Sequence, residues 1–160
     1  MATIRKAATE VRLRPGGIDD LDAVMRIMGG AFQPCFGEAW TRSQCAGILP
    51  MTGVRLTIAE DDRGPAGFSL ARCVADEAEL LLIAVGPESQ RAGVGQSLLD
   101  DFIVTARLRG ATRLHLEVRD GNPAVSMYRA AGFIPAGRRR NYYHGQDGLA
   151  HDAVTLTLAN

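Results

Sequence analysis

A chain of 160 residues is long enough for one domain with a substantial core. Its composition, 46% hydrophobic and 22% charged, is that of an ordinary soluble globular protein and excludes a disordered chain. Its 18 basic and 18 acidic side chains cancel, which excludes the excess of positive charge that broad nucleic-acid binding requires.

Residues 1–9 read as a flexible leader and 10–160 as a single domain. Val11 to Arg14 alternates and runs into Pro15-Gly16-Gly17, which predicts a short first strand. Asp19 or Asp20 is placed to cap a helix whose apolar side carries Leu21, Val24, Met25, Ile27 and Met28. Gln33 to Ala39 holds Pro34 and Gly37 and reads as a loop, and Thr41 caps a second short helix ending near Leu49-Pro50. Val54–Glu60, Ala66–Ala75 and Glu79–Val85 read as three consecutive strands joined by polar turns. A helix over Gly93–Arg109 stops at Gly110. Arg113–Val118 is the next strand, with Leu114, Leu116 and Val118 on one face. Asn122-Pro123 reads as the N-cap and first position of a last helix, which ends at Ala131-Gly132. Phe133–Tyr143 and Ala153–Leu158 read as a closing pair of strands.

The order is β-α-α-β-β-β-α-β-α-β-β. The unit around residues 80–118 implies a parallel pair with a right-handed crossover, and the three strands before it an antiparallel run. An α+β fold with one mixed sheet and helices on its faces is expected.

The motif richest in chemistry is Gln90-Arg91-Ala92-Gly93-Val94-Gly95-Gln96, between the strand ending Ile83-Ala84-Val85 and the long helix. Glycines let a backbone approach an anion and turn its N–H groups inward, and a helix N-terminus adds unpaired N–H groups and positive dipole. A Walker loop would need Gly-Lys-Ser/Thr, but Gly95 is followed by Gln96. A dinucleotide fingerprint would need a third glycine close behind the first strand, which is lacking here. The structural alternative is a glycine turn that merely joins strand to helix.

The loop is similar to the Gln/Arg-x-x-Gly-x-Gly/Ala signature of the GNAT superfamily of N-acetyltransferases. A second signature, Met127-Tyr128 followed by Gly132-Phe133, resembles the same family, and the likeness runs from about Val11 to Leu158. The resemblance implies acetyl-CoA as cofactor. Ile83, Ala84 and Val85 would then face the pantetheine arm and acetyl group, with Val85 N–H as oxyanion donor, and Arg91, Ala92, Gly93, Val94, Gly95 and Gln96 would face the pyrophosphate.

Acetyl transfer to an amine needs a neutral amine, donors for the developing oxyanion and a proton for the leaving thiolate. The resemblance implies Glu117 as base, directly or through water, and Tyr128 as acid. The structural alternatives are a strand carboxylate paired with Arg119 and an amphipathic core tyrosine. Many relatives place an asparagine seven residues before this tyrosine. Here Asn122 is six before, and the aligned position falls on Gly121. Asn122 therefore either meets the pantetheine arm or caps its helix.

Leu116-Glu117-Val118-Arg119 and Arg138-Arg139-Arg140-Asn141-Tyr142-Tyr143 resemble the RimI branch, whose members acetylate the N-terminal alanine of ribosomal protein S18. Glu38-Ala39-Trp40-Thr41 resembles that branch's substrate-side loop, with an insertion at residues 33–36. A peptide acceptor wants aromatic walls, which Trp40, Tyr142 and Tyr143 can supply, although strand alternation lets only one of the two tyrosines face a groove. The alternative for Trp40 is plain core. The arginines either steer an acidic partner or form a solvated hairpin face.

Cys35, Cys45 and Cys73 lack metal-ligand spacing and read as reduced thiols, and His144 and His151 read as surface residues, so no metal is expected. No apolar run approaches the ~20 residues of a membrane span, and the first residues lack the order of a signal peptide. A cytoplasmic monomer or weak dimer is expected, without membrane or direct nucleic-acid binding. The competing functions are acetylation of a small-molecule amine and a non-catalytic acyl-CoA-binding module.

Overall fold

The computed structural model describes residues 10–159, and the expected leader over residues 1–9 lies outside them. Seven strands form one sheet in the order β1-β2-β3-β4-β5-β7-β6. They are β1 (Arg12–Gly16), β2 (Val54–Asp61), β3 (Gly64–Val74), β4 (Glu77–Val85), β5 (Arg113–Arg119), β6 (Ile134–His144) and β7 (Ala150–Ala159). The helices are α1 (Leu21–Ala31), α2 (Arg42–Ile48), α3 (Val94–Leu108) and α4 (Val125–Ala130). As the order of elements implies, β4 and β5 are parallel and every other neighbouring pair is antiparallel. Among the described residues no helix is long and apolar enough to cross a membrane.

β1 runs past the expected stop at Pro15, which pairs with Thr57. A proline is tolerated there because β1 is an edge strand, whose N–H on the open side has no ladder partner to lose. Neither Asp19 nor Asp20 caps α1 with its side chain. Asp20 holds Arg14 at 2.8 Å and the N–H of Gly17 at 2.9 Å instead, and Arg14 lowers the Asp20 pKa. Thr41 does cap α2, in a reciprocal box with Gln44.

α1 and α2 cover one face of the sheet through Leu21, Val24, Ile27, Met28 and Cys45 against Leu56, Ile58, Phe68, Leu70, Leu82 and Ala84. α3 and α4 join a second cluster with Ala78, Leu80, Leu114, Leu116, Val118 and Leu156. β4 contributes even-numbered residues to both clusters, although alternate residues of one strand point to one face. The cause is a bulge. Leu70 pairs with Leu82 but Ala71 pairs with Leu80, so Leu81 is an extra residue and the parity changes there. The parallel ladder with β5 stops at the same place, at Leu80 and Leu116. Beyond it Leu82–Val85 and Glu117–Arg119 share no ladder, and the sheet opens between its two central strands.

Candidate active site

The open segment of β4 carries Ile83, Ala84 and Val85, and the glycine loop follows it directly. Gln90 Nε2 donates to the Val85 carbonyl at 3.2 Å and ties the loop to the strand end. Arg91 and Gly93 both take left-handed backbone, with φ 62° and 81°. For arginine this costs roughly 1 kcal/mol or more, and such strain concentrates where a ligand uses the shape. Val94 anchors the first turn of α3 by burying its side chain with Leu98 and Ala59, while Arg91, Ala92, Gly93 and Gln96 stay exposed. Gly95 lies where a Cβ would touch Met127 and Val85, so loop, strand end and α4 meet there. The donor set, backbone N–H groups at the head of a 15-residue helix with no lysine among them, suits the pyrophosphate of a coenzyme.

Glu117 is the first residue of β5 past the end of the parallel ladder. Its ion partner is Arg139, at 2.6 Å, and not the neighbouring Arg119 of the structural alternative. Tyr143 donates its hydroxyl to the Glu117 carbonyl at 3.4 Å. Tyr142 also borders this carboxylate. Its pKa is raised by burial first and by the Glu117 charge second. Strict alternation would send the two tyrosines to opposite faces, but β6 bulges between Arg139 and Tyr143, with Asn141 left-handed at φ 53°. The two rings meet edge to face at 5.0 Å, so both tyrosines border the site.

Tyr128 is the fourth residue of α4 and only 4% exposed. Its ring packs edge-on to Phe133, centroids 6.2 Å apart. Burial raises its pKa well above the usual tyrosine range, and the approach of Tyr143 and Glu38 adds to the rise. The ring is thus packed in the core, with Tyr143 and Glu38 near enough for their charges to act on it. Tyr143 is raised in the same direction by burial, then by Glu38 and Glu117. Glu38, Glu117, Tyr128 and Tyr143 thus form one electrostatic set.

Glu38 is the residue that sequence reasoning missed as a functional candidate. It accepts from Arg119 Nε at 2.9 Å and from Asn122 Nδ2 at 2.7 Å. Asn122 is not the N-cap of α4, which begins at Val125. Its Oδ1 accepts from the N–H of Ala124, a local turn that precedes the helix. Trp40 is half-buried against the α1–α2 cluster. Arg138 is paired with Asp120 and Asp152 at 2.8 and 2.9 Å, so two of the three consecutive arginines are neutralised by partners within the fold. Among the described residues no group of three or more His, Cys, Asp or Glu side chains is placed to hold a metal.

Residues 21–133 match the model of the acetyltransferase (GNAT) family. A ribosomal protein bS18-alanine N-acetyltransferase of Salmonella typhimurium is 42% identical over 120 residues, which are 74% of this chain and 80% of that protein. The Escherichia coli enzyme of the same name is 44% identical over 94 residues, 58% of this chain and 63% of its own length. The crystal structure of the Escherichia coli ribosomal-protein-S18-alanine N-acetyltransferase superposes with a TM-score of 0.84 at 32% identity, covering 94% of both chains. With the opened sheet and the glycine loop at the head of α3, these matches establish that the chain belongs to the GNAT family of acetyltransferases, with acetyl-CoA as its acetyl donor.

Proposed function

We propose that this enzyme acetylates the N-terminal α-amine of a protein, with the N-terminal alanine of ribosomal protein S18 as its acceptor. The Salmonella and Escherichia coli relatives are named for that reaction, and the structural likeness extends over nearly the whole chain. The observation that carries the reading is the position of Glu117, beside the gap between β4 and β5 and bordered by Tyr142 and Tyr143. A carboxylate between aromatic walls suits a small cationic chain end better than a bulky polyanion.

When bound, acetyl-CoA supplies the thioester acyl group. Arg91 to Gln96 would hold its pyrophosphate through backbone N–H groups, and Ile83, Ala84 and Val85 would hold its arm. Glu117 accepts a proton from the acceptor ammonium, directly or through water, which frees the nitrogen lone pair. The Val85 N–H donates to the oxygen on which charge develops. Tyr128, like any tyrosine, is protonated at neutral pH, and its burial keeps it so, which leaves it a proton to give to the leaving sulfur. Tyr142 and Tyr143 flank the acceptor's first residue.

The test is release of thiol from acetyl-CoA with a short alanine-initiated peptide, measured against a panel of small amines. Turnover on the peptide with little on the amines supports the reading. Turnover on amines alone would replace it with a small-molecule acetyltransferase, and binding of acetyl-CoA without turnover on any acceptor would replace it with a carrier module.

A further inference from the structure

The segment between α1 and α2 is fastened to the rest of the site from two sides. On one side, Gly37 and Gly145 permit backbone contacts that a side chain would block. A Cβ on Gly37 would overlap the His144 carbonyl, and one on Gly145 would overlap the Cys35 carbonyl. Gln146 N–H donates to the Pro34 carbonyl at 3.1 Å, and His151 Nε2 lies 3.2 Å from the Cys35 carbonyl. These contacts join the segment to the β6–β7 hairpin, which carries Tyr142 and Tyr143.

On the other side the hydrogen-bonded fastening runs through one side chain, Glu38. Glu38 reaches residues 81 and 84 positions away, Arg119 at the end of β5 and Asn122 in the turn before α4. The ion pair is nearly closed to solvent, with the Glu38 and Arg119 side chains 9% and 10% exposed. The Arg119 guanidinium also lies 3.7 Å from the centroid of the Phe36 ring, on the same segment. Each Glu38 oxygen has its own donor, so the carboxylate sets both the distance and the rotation of the segment. Its charge is felt by Tyr128 and Tyr143, so the latch sits beside the proposed acid and one aromatic wall.

We propose that Glu38 is a positioning residue for the acceptor. Through Arg119 and Asn122 it fixes the segment over residues 33–39 as a rigid wall beside the hairpin that carries Tyr143, and this wall places the acceptor's first residue. The latch also gives the Asn122 amide a task on the acceptor side, through Glu38, and not on the cofactor arm. This proposal rests on the peptide-acetyltransferase reading for its substrate, but the latch itself does not.

The test uses Glu38→Gln and the exchange variant Glu38→Gln with Asn122→Asp. In the single variant one donor among Arg119 and Asn122 faces an amide NH2 and loses its acceptor. In the exchange variant the amide introduced at position 38 donates to the carboxylate introduced at position 122, while its oxygen accepts from Arg119. Both bonds thus return, the one between positions 38 and 122 with reversed polarity. The single variant is expected to raise the KM for the alanine-initiated peptide about tenfold, the size of a lost hydrogen bond to a charged group. The KM for acetyl-CoA is expected to stay within about twofold of wild type, and the exchange variant to recover most of the peptide KM. An unchanged peptide KM, an equal rise for both substrates, or no recovery in the exchange variant would overturn the proposal. If wild type does not acetylate the peptide, the functional reading fails and the latch is judged by fluorescence. Trp40 is the chain's single tryptophan and lies two residues from Glu38. Its emission is expected to shift in Glu38→Gln and return in the exchange variant, and identical emission in all three proteins would overturn the latch itself.

Discussion

Arg139 Nε lies 2.6 Å from Glu117 Oε1, and the two residues are unequally placed, with the arginine side chain 63% exposed and the carboxylate 14%. The guanidinium stands on the solvent side of the proposed base, where an incoming ammonium would seek the same oxygens. Arg139→Gln is therefore expected to lower the KM for a peptide acceptor, by at most about fivefold given the small worth of an exposed ion pair. Steady-state kinetics at low salt would check this, and a KM that is unchanged or higher would contradict it.

Tyr128→Phe keeps the edge-on packing against Phe133 and removes only the hydroxyl. The expected outcome is a fall in kcat of about 10²-fold or more, the usual range for a lost general acid, with acetyl-CoA affinity nearly unchanged. A kcat close to wild type would remove Tyr128 from the acid role.

All three tyrosines of the chain, Tyr128, Tyr142 and Tyr143, border the site, and all three have pKa values raised first of all by burial. The folded form therefore holds these protons more tightly than the unfolded chain, whose tyrosines ionise near pH 10. Stability from this source is complete below pH ~10 and is lost as pH rises through the folded-state values. Lys6 is the only lysine, so apart from the three cysteines few other groups titrate in that window. Phenolate absorbance of the folded protein is expected to rise at distinctly higher pH than that of the urea-unfolded protein, and the unfolding midpoint to fall above pH ~10. Superimposable phenolate curves would contradict the burial of Tyr128 and Tyr143.

Gly93 takes φ 81° at the head of α3 with open space where a Cβ would stand. Gly93→Ala therefore costs backbone strain without a clash, about 1–2 kcal/mol. If the loop's shape is what holds the pyrophosphate, acetyl-CoA affinity should fall about tenfold while kcat at saturation stays close to wild type. Isothermal titration with acetyl-CoA would show this, and unchanged affinity would remove the loop from cofactor binding.

The parts of this site that depend on local chemistry could be read from sequence. The run Ile83–Val85, the glycines at 93 and 95 and the long amphipathic helix after them announce a strand, a turn and a helix N-terminus, and β4 and α3 follow them closely. The parts that depend on register could not. An extra residue at Leu81 opens the sheet, and bulging before Tyr143 brings two consecutive rings together, yet neither leaves a mark in residue type. Asn122-Pro123 has the composition of a helix start, but the Asn122 side chain is drawn to Glu38 and its own turn, and α4 begins three residues later. Glu38 was legible only as one residue of the stretch Glu38-Ala39-Trp40-Thr41 that resembles a substrate-side loop, with nothing to give it a task of its own. Its partners lie 81 and 84 residues away, beyond any local pattern.

The central claim is that the acetyl group goes to the α-amine of a chain beginning with alanine. The most direct measurement is fragment-ion mass spectrometry of an alanine-initiated peptide from the N-terminus of ribosomal protein S18 that also contains an internal lysine, after incubation with the enzyme and acetyl-CoA. The account predicts acetyl on the terminal nitrogen alone, and no product when that nitrogen is blocked beforehand. Acetyl on the lysine side chain, or an unmodified peptide alongside rapid acetylation of small amines, would contradict it.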